Sequence, residues 1–387
     1  MRILGLMSGT SHDGIDAAVV DIRRAGPGLL ARVDYHDTTG YPPSLRHRLV
    51  AALPPATTTL AEIADLDTRI GQSFAQAARQ AITTAGPVGL IVSHGQTVFH
   101  QVEGPKTLGT LQIGQPAWIA EATGVPVLAD IRIRDITAGG RGAPLASVID
   151  QLLLAGRPGR PAALNLGGIS NVTIITAAGT RAWDIGPANA LLDAVVAERG
   201  ANPLGYDAGG TLAAAGTVDT GLLDVLLDEP YYLLEPPKTT GKELFHLPYL
   251  RAVLERTGRD SIRTEDLLAT LAALTVRTIV DALTAESITE LFVSGGGVHN
   301  PVIMAGLAAG LPGATVSTTA QLGLGPDEKE AVLMAVIGWL SFHGIPATVP
   351  SATGARAPRL LGAITPGAGP LRLPEPQPAP TSLRMER

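Results

Sequence analysis

The chain contains two similar segments, each made of a hydrophobic stretch, a glycine-rich turn and a second hydrophobic stretch. The first, at 4–21, reads LGLMSGTSHDGIDAAVVD, and the second, at 162–176, reads AALNLGGISNVTIIT. Apolar residues on both sides of a Gly/Ser/Asp turn are typical of β-hairpins. An internal echo of this kind predicts two domains built on the same design. It restricts the fold more than any other feature of the chain.

Both hairpin patterns are followed by the same kinds of elements. A third strand pattern comes after each of them, at 31–36 and at 180–185, and helical and strand patterns then alternate. Three strands followed by alternating helices and strands indicate an α/β fold. A further buried strand, at 90–92, is predicted to end in a loop with the sequence SHGQT at 93–97.

Changes in composition suggest where the domains begin and end. Residues 129–145 are loop-like and glycine-rich, so we expect an N-terminal domain at 1–130 and a C-terminal domain at 131–344, with 345–369 returning to the first. The last segment, 370–387, has prolines at alternate positions and little to bury, which predicts a disordered tail.

The bulk composition excludes several classes of protein. The chain has 387 residues, of which 45% are hydrophobic and 17% charged, and its net charge is −6. There is no basic run to bind nucleic acid or an anionic membrane, and no cysteine for disulfides or thiolate chemistry. The N-terminal apolar stretch is too short for a signal peptide, and no apolar run of 18 residues follows. We therefore expect a soluble, cytoplasmic protein.

The first turn has the character of an anion site. Small and hydroxyl residues, SGTS at 8–11, leave backbone N–H groups uncovered, and a concave row of such donors binds phosphate. Asp13 and Asp16 stand where carboxylates would hold the cation of a phosphate. Alone, the turn is equally well explained by an ordinary hairpin. The second turn, at Gly167 and Gly168, has the same place in the echo, so the pair favours two loops that grip one polyphosphate.

A third glycine-rich segment, GGGVHN, follows a hydrophobic strand at 291–294. A glycine triplet directly after a strand lets a ring or a phosphate approach the backbone closely. The alternative is a dinucleotide-binding fingerprint, but the segment lacks the G-x-G-x-x-G spacing and does not lie in the first βα turn. We therefore assign Gly295, Gly296 and Gly297 to the nucleotide.

Asp184 stands at the end of a strand, before Gly186 and Pro187. A carboxylate in that position can project into a crevice between domains and act as a general base. The alternative is a cap for the next helix, but Asn189 is closer to that helix and suits a cap better. We therefore predict that Asp184 is the base.

Three further charged residues are candidates for substrate binding. Arg132 and Arg134 lie on one face if their segment is extended, and they suit an acidic substrate, although exposed surface arginines are the alternative. Glu330 is either the exposed start of a helix at 327–342 or a side chain that points into the site. Both options remain open.

Longer motifs make the chain resemble a known family. The opening LMSGTSHDGID at 6–16 is similar to the signature of the anhydro-N-acetylmuramic acid kinases. Further matching motifs are SHGQT at 93–97, TLQIG at 110–114, DIRIRDITAGGRGAPL at 130–145, NLGGISNVT at 165–173, DIGPANALLD at 184–193, PKTTGKELF at 237–245, SGGGVHN at 294–300 and KEA at 329–331. The resemblance covers 2–367. Two departures are Ala188, where many relatives have glycine, and Arg141, where they have glutamine.

The resemblance implies an α/β fold of two ribonuclease-H-like domains, as in actin and hexokinase, that flank an ATP cleft. It implies Mg²⁺ and a peptidoglycan-recycling reaction, in which ATP and water convert 1,6-anhydro-N-acetylmuramic acid to N-acetylmuramic acid 6-phosphate and ADP. The residues that it assigns to ATP are Gly9, Thr10, Ser11, His12, Asp13, Gly14, Ile15, Asp16, Gly167, Gly168, Gly295, Gly296, Gly297 and Asn300. It makes Asp184 the base that activates water. The wider superfamily usually has an aspartate on the strand before the first glycine, where this chain has Met7 and Ser8, so we assign the cation to Asp13 or Asp16. The residues that it assigns to the substrate are Gln96, Thr97, Arg132, Arg134 and Glu330.

Two other functions remain open on the sequence. A kinase for a related sugar would share every ATP motif, and a non-enzymatic, actin-like ATP switch would need the ATP loops but no base. The expected partner is a small-molecule sugar, with no nucleic acid and no membrane, and a monomer and a homodimer both remain open.

Overall fold

The computed structural model describes residues 1–9, 12–54, 56–104, 106–176, 179–241 and 244–386. It divides into two compact units. Unit 1 consists of Met1–Ala155 and Glu328–Arg387, and unit 2 is Gly156–Asp327.

The elements are as follows. The strands are β1 (Arg2–Ser8), β2 (Gly14–Ala25), β3 (Gly28–Gly40), β4 (Leu90–Glu103), β5 (Lys106–Ile113), β6 (Val127–Ala129), β7 (Pro161–Leu166), β8 (Ile169–Thr176), β9 (Gly179–Pro187), β10 (Glu290–Ser294), β11 (Thr315–Thr318), β12 (Ala363–Thr365) and β13 (Leu383–Glu386). The helices are α1 (Pro43–Ala51), α2 (Leu60–Ala85), α3 (Pro116–Thr123), α4 (Ile133–Thr137), α5 (Ser147–Leu154), α6 (Asn189–Arg199), α7 (Thr211–Ala214), α8 (Thr220–Leu227), α9 (Leu247–Thr257), α10 (Thr264–Thr284), α11 (Pro301–Gly310), α12 (Lys329–Phe342) and α13 (Pro350–Thr353).

The two units contain mixed sheets with the same strand order. The order β3–β2–β1–β4–β6 in unit 1 is repeated as β9–β8–β7–β10–β11 in unit 2. β1 pairs antiparallel with β2 and parallel with β4, just as β7 pairs antiparallel with β8 and parallel with β10. The predicted repeat and the α/β fold class are therefore confirmed. Unit 1 adds β5, β12 and β13 to this common plan.

The sheet of unit 1 is covered by helices on both faces. Leu4 and Leu6 of β1 belong to one buried cluster with Phe74 of α2. Ile3 points the other way, towards Gly338 of α12. Successive residues of a strand face opposite sides of the sheet, so a strand buried on both faces is apolar at nearly every position. The run ILGLM at the start of the chain has this pattern.

The backbone of α12 crosses β1 directly at Gly5. A methyl group on Gly5 would overlap Ala331 O and would lie 3.0 Å from Ala335 N, so only glycine permits this approach. The start of α12 is also held by an ion pair, in which Lys329 Nζ lies 2.6 Å from Asp150 Oδ1 and the two side chains are 5% and 3% exposed. α12 is therefore an integral part of unit 1.

The boundaries of the units differ from the predicted domain limits. Residues 131–155 and 328–344 belong to unit 1, although the sequence placed them in the second domain. The reason is that α12 packs on β1 and β4, and α5 packs against α12 and β13. The glycine-rich composition of 129–145 reflects a local change of direction around α4. Composition does not indicate long-range contacts such as those of α12 and α5, which determine the boundary of the unit.

Two local predictions are also wrong. The segment 93–97 is not a loop, because β4 runs on through it and pairs with β5 as it leaves β1. The tail, 370–387, is not disordered in its described part, since Leu383 of β13 pairs with Leu29 of β3 and is 2% exposed. Alternating prolines exclude a helix, but they do not prevent a short strand from pairing at the edge of a sheet.

The helix α10 forms the centre of the core of unit 2. Its residues Leu267, Leu271 and Leu274 belong to the buried cluster that also contains strands β7 and β10. Within the described ranges, α10 is the one helix long and apolar enough to cross a membrane, and 61% of its most apolar window is buried in the protein. Because most of that window is already buried, we interpret α10 as a core helix.

Candidate active site

The turn between β1 and β2 is held by buried side chains. Ser8 Oγ lies 2.6 Å from Gly14 O and 2.7 Å from Gln96 Oε1, and the Tyr41 hydroxyl donates to Ser8 Oγ at 3.1 Å. Gln96 Nε2 in turn donates to Gly9 O at 3.1 Å. This hydrogen-bond network, which includes Gln96 of β4 and Tyr41 just after β3, thus fixes both ends of the predicted phosphate loop.

This network gives Gln96 a role different from the predicted substrate contact. Gln96 is 0% exposed, so the structure assigns it to positioning the turn. Thr97 is partly buried, and its Oγ1 accepts from Gln112 Nε2 at 3.1 Å. Its contact with substrate stays a prediction. Thr10 and Ser11, which the sequence assigns to ATP, lie outside the described residues.

The remaining turn residues have structural reasons for their identities. His12 adopts a left-handed φ of 55°, is 7% exposed, and accepts at its carbonyl from Arg46 Nε at 3.0 Å. A Cβ on Gly14 would lie 2.7 Å from Thr39 O, so the pairing of β2 with β3 requires glycine there. The Ile15 side chain is fully buried in the core of unit 1. Gly14 and Ile15 therefore have only backbone atoms to offer a nucleotide.

Asp13, Asp16, Glu330 and Arg132 form one group of charged side chains beside the turn, which we call the charged cluster. Glu330 is partly buried, and this burial raises the pKa of its carboxyl. The carboxylates of Asp16 and Asp13 raise that pKa further, whereas Arg132 and Lys329 lower it. Glu330 is therefore more than the exposed start of a helix, and its place in the substrate site stays a prediction.

The cluster has a donor set that suits a magnesium ion bound to phosphate. Asp16 Oδ1 accepts from Thr38 Oγ1 at 2.6 Å, which fixes one of the two acids. Among the described residues, no three His, Asp or Glu side chains form a self-contained metal site. Mg²⁺ in phosphoryl transfer usually keeps several waters and takes one or two protein carboxylates besides the phosphates. Asp13 and Asp16 fit that pattern.

Arg132 is fixed in one orientation by β4 and by the loop after α4. Its Nε donates to His94 Nε2 at 2.9 Å, and its Nη1 donates to Gly142 O at 2.6 Å. His94 Nδ1 lies 2.9 Å from Gly95 O, so we assign a neutral imidazole with its proton on Nδ1. Burial, reinforced by the charge of Arg132, lowers the pKa of His94 to about 3.

Arg134 does not join the charged cluster. The segment is helical, with Arg132 just before α4 and Arg134 within it, and residues two apart in a helix point to nearly opposite sides. Arg134 is exposed. The condition under which Arg132 and Arg134 would share one face is therefore not met. The Asp135 carboxylate accepts from Gly142 N and Thr353 Oγ1, contacts that hold the chain in a turn.

In unit 2, the turn at Gly167 and Gly168 receives the start of α6. Ala188 N donates to Gly168 O and Asn189 N donates to Gly167 O, both at 3.0 Å. The Asn189 side chain donates to Leu166 O at 3.1 Å and does not cap α6, so its predicted cap role is wrong. Ala188 has a negative φ of −119°, so its departure from glycine imposes no left-handed strain.

Asp184 is held mainly by main-chain groups. It lies at a β-bulge between β8 and β9, a feature that re-aims side chains. Its N–H donates to Lys238 O at 3.1 Å, and its Oδ2 accepts from Thr240 N at 3.1 Å. The Tyr231 hydroxyl donates to Asp184 O at 2.7 Å. The carboxylate is partly buried and is therefore oriented by the loop that follows α8.

The three glycines after β10 are not equivalent. A Cβ on Gly295 would lie 2.6 Å from Asn165 Oδ1, and one on Gly297 would lie 2.6 Å from the side chain of Leu166. The nearest atom to a Cβ on Gly296 would be 3.9 Å away. Packing against the end of β7 therefore explains Gly295 and Gly297, and Gly296 is the member with room for a ligand.

Asn300 has a structural role beside this triplet. Its Oδ1 accepts from two backbone N–H groups in the first turn of α11, at 3.1 and 3.4 Å. The segment DAGG at 207–210 packs against it, because a Cβ on Gly210 would overlap the Asn300 side chain. Sequence reasoning missed this segment, although two consecutive glycines before a helix were the available signal.

Other supporting residues were also missed. Tyr41 and Tyr231 lie outside the motifs, so they carry no spacing signal. Lys238 and Thr240 lie within the PKTTGKELF motif, which could have indicated them.

Comparison with known proteins identifies the family of this chain. A family model described as anhydro-N-acetylmuramic acid kinase matches residues 1–367. A protein of that name from Streptomyces coelicolor is 52% identical over 97% of this chain and 96% of its own length. Proteins of the same name from Rhodococcus erythropolis and Xanthomonas campestris are 49% and 44% identical, over 100% and 94% of this chain and 100% and 97% of their own lengths.

The two α/β units share one strand order, and each has a glycine-rich turn after its first strand, as expected for the two-domain fold of ATP-dependent sugar kinases. The chain belongs to the anhydro-N-acetylmuramic acid kinase family, and it is an enzyme that transfers phosphate to a sugar.

The neutral state of His94 predicts a pH-dependent effect of its replacement. Below about pH 6.5 the unfolded chain protonates this group, whereas the folded chain resists protonation down to about 3. Wild-type stability should therefore fall, as the pH is lowered through this window, by up to about 1.4 kcal/mol per pH unit from this residue. His94→Gln keeps an acceptor for Arg132 but cannot be protonated, so its stability deficit should shrink between pH 7 and pH 4.

Urea unfolding at several pH values measures this deficit, with the exposed His47→Gln as the matched control. A deficit for His94→Gln that stays constant with pH, or that tracks the control, would contradict a neutral, buried imidazole.

Proposed function

We propose that this enzyme uses ATP and water to open 1,6-anhydro-N-acetylmuramic acid and to phosphorylate its O6. The products are N-acetylmuramic acid 6-phosphate and ADP. The observation that supports the proposal most is the family match over residues 1–367, combined with a carboxylate, Asp184, that main-chain hydrogen bonds orient at a strand end. The proposed setting is the recycling of peptidoglycan amino sugars in the cytoplasm.

The chemistry of the substrate dictates what the enzyme must supply. The anhydro bridge joins O6 to C1, so O6 carries no hydroxyl that could accept phosphate. Water must attack C1 while the C1–O6 bond breaks, and O6 must bond to the γ-phosphorus of ATP as ADP leaves. These reaction steps need a base for the water and charge stabilisation for the phosphoryl group. Phosphoryl transfer is otherwise mainly a matter of positioning.

The turn between β1 and β2 is the proposed site for the ATP phosphates. Gln96 and Tyr41 fix the backbone around Gly9, and a preorganised backbone stabilises a transferring phosphoryl group without reorganising. Asp13 and Asp16 would hold Mg²⁺, which neutralises charge on the phosphates when bound. In unit 2, the turn at 167–168 and the open side of Gly296 are the proposed contacts for the rest of the nucleotide.

Asp184 is the proposed base that takes a proton from the attacking water. Its Oδ2 accepts from Thr240 N at 3.1 Å, an interaction that favours the ionised carboxylate a base requires. Arg132, held by His94, would pair with the lactyl carboxylate that distinguishes muramic from glucosamine sugars. Glu330 lies beside Arg132 in the charged cluster and is the second carboxylate available to the sugar.

Replacing the base should stop the chemistry and leave binding intact. Asp184→Asn keeps the shape of the side chain but cannot accept the proton, so turnover should fall about 10²–10⁴-fold, the usual range for a lost general base. Calorimetry should find ATP and sugar affinities close to wild type. The exposed Asp260→Asn in the same unit is the matched control.

A panel of anhydro and reducing sugars in the same assay distinguishes this substrate from a related one, and ADP release without sugar would indicate an ATP switch. Near-wild-type turnover of Asp184→Asn would move the base elsewhere, with Glu330 the next residue to test.

The role of Arg132 predicts a change in substrate selectivity. Arg132→Ala should weaken binding of 1,6-anhydro-N-acetylmuramic acid by about 10- to 100-fold, in the range for removing a charged hydrogen-bond donor. Binding of 1,6-anhydro-N-acetylglucosamine, which lacks the lactyl group, should change little. Exposed Arg134→Ala is the control. Equal losses for both sugars would show that Arg132 does not recognise the lactyl carboxylate.

A further inference from the structure

Lys238 makes an unusual set of contacts for a lysine near a reaction centre. Its Nζ donates to Tyr231 O at 3.1 Å and to Tyr232 O at 3.0 Å, and it lies 4.7 Å above the centre of the Tyr231 ring. Burial lowers the pKa of its ammonium group, and the nearby Glu235 opposes that change. The ammonium group therefore ties one end of the loop at 231–240 to the other.

The same loop surrounds Asp184. Lys238 presents its own carbonyl to Asp184 N at 3.1 Å, and two residues later Thr240 N donates to Asp184 Oδ2 at 3.1 Å. At the other end of the loop, the Tyr231 hydroxyl donates to Asp184 O at 2.7 Å. Lys238 thus joins the two ends of the loop, and both ends make hydrogen bonds to Asp184.

We propose that Lys238 is a positioning residue for the base, because its ammonium group closes the loop whose backbone orients the Asp184 carboxylate. The inference rests on the proposed function, in which Asp184 activates water. Lys238 itself is not proposed to contact the sugar or ATP.

The chemistry of lysine suits this task. An ammonium group has three N–H donors and no acceptor, so it can bridge two carbonyls and stack on a ring at the same time. An apolar side chain of similar length would fill the space but would leave Tyr231 O and Tyr232 O without this donor. The loop would then lose the link between its two ends. Misplacing a catalytic group by about 1 Å can cost about 10²-fold in rate, even when the mutated residue lies away from the chemistry.

Lys238→Met provides the test, with exposed Lys106→Met on the β4–β5 hairpin as the matched control. We expect kcat to fall about 10- to 100-fold while the KM values for ATP and sugar change less than about threefold. Lys238→Arg keeps a cationic donor and should recover part of the loss. If Lys238→Met does not fold, Tyr231→Phe removes the hydroxyl contact with Asp184 O, and it should reproduce the same division between kcat and KM.

The double variant Asp184→Asn/Lys238→Met decides whether Lys238 acts through the base. Because a positioning residue has no effect once its target is inactive, the double variant should turn over no more slowly than Asp184→Asn alone. A full additional loss in the double variant would overturn the inference, as would wild-type kcat in Lys238→Met or a loss confined to KM. A near-wild-type Asp184→Asn would instead overturn the base assignment in the proposed function, so the two failures are distinguishable.

Discussion

The close approach of α12 to β1 at Gly5 is the contact on which unit 1 depends. Because no side chain separates the two backbones there, the first turn of the helix lies over β1, the strand that leads into the turn before β2. The buried pair of Lys329 and Asp150 ties the same helix end to α5. Glu330, next to that pair, therefore has little freedom, and it shares its electrostatic environment with Asp13 and Asp16. Gly5 in β1 thus determines the position of the Glu330 carboxylate, which lies 325 positions later in the chain.

Both candidate centres rely on rigid partners. In unit 1, Gln96 and Tyr41 hold the turn, and a neutral His94 holds Arg132. In unit 2, backbone groups of the loop at 231–240 hold Asp184. Preorganised dipoles and charges of this kind do not need to rearrange as charge develops in a transition state, which is why they are effective in catalysis. The apolar sheets behind them supply the stiffness.

The internal repeat was the most informative part of the sequence. The pattern of a strand, a glycine turn and a strand occurs twice and predicts two domains of the same design, because the pairing within a hairpin follows from local alternation. The structure adds that the two units share one strand order. The positions of Asp13, Asp16 and Glu330 in one cluster were accessible only as candidates. Family motifs indicated them, but the electrostatic interaction of Glu330 with Asp13 and Asp16 joins residues far apart in the chain.

The errors have a common physical cause. Arg132 and Arg134 would share one face only in an extended segment, and the contacts of Asp135 with Gly142 and Thr353 hold that segment in a turn. The domain limits and the tail depended on partners far along the chain, such as β3 for β13. Gln96 was expected at the substrate, and its complete burial follows from the network around Ser8.

The fate of the water oxygen is the most direct measurement of the proposed reaction. Short reactions in ¹⁸O-labelled water, quenched early and corrected for anomeric exchange, should place the label in the new C1 hydroxyl and none in the phosphate ester. That result means that water attacks C1 and that O6 of the bridge receives the phosphoryl group. Label in the ester oxygen would mean attack at C6, and label only in inorganic phosphate would mean simple ATP hydrolysis. Either outcome would contradict the mechanism in which Asp184 activates water against the anhydro bridge.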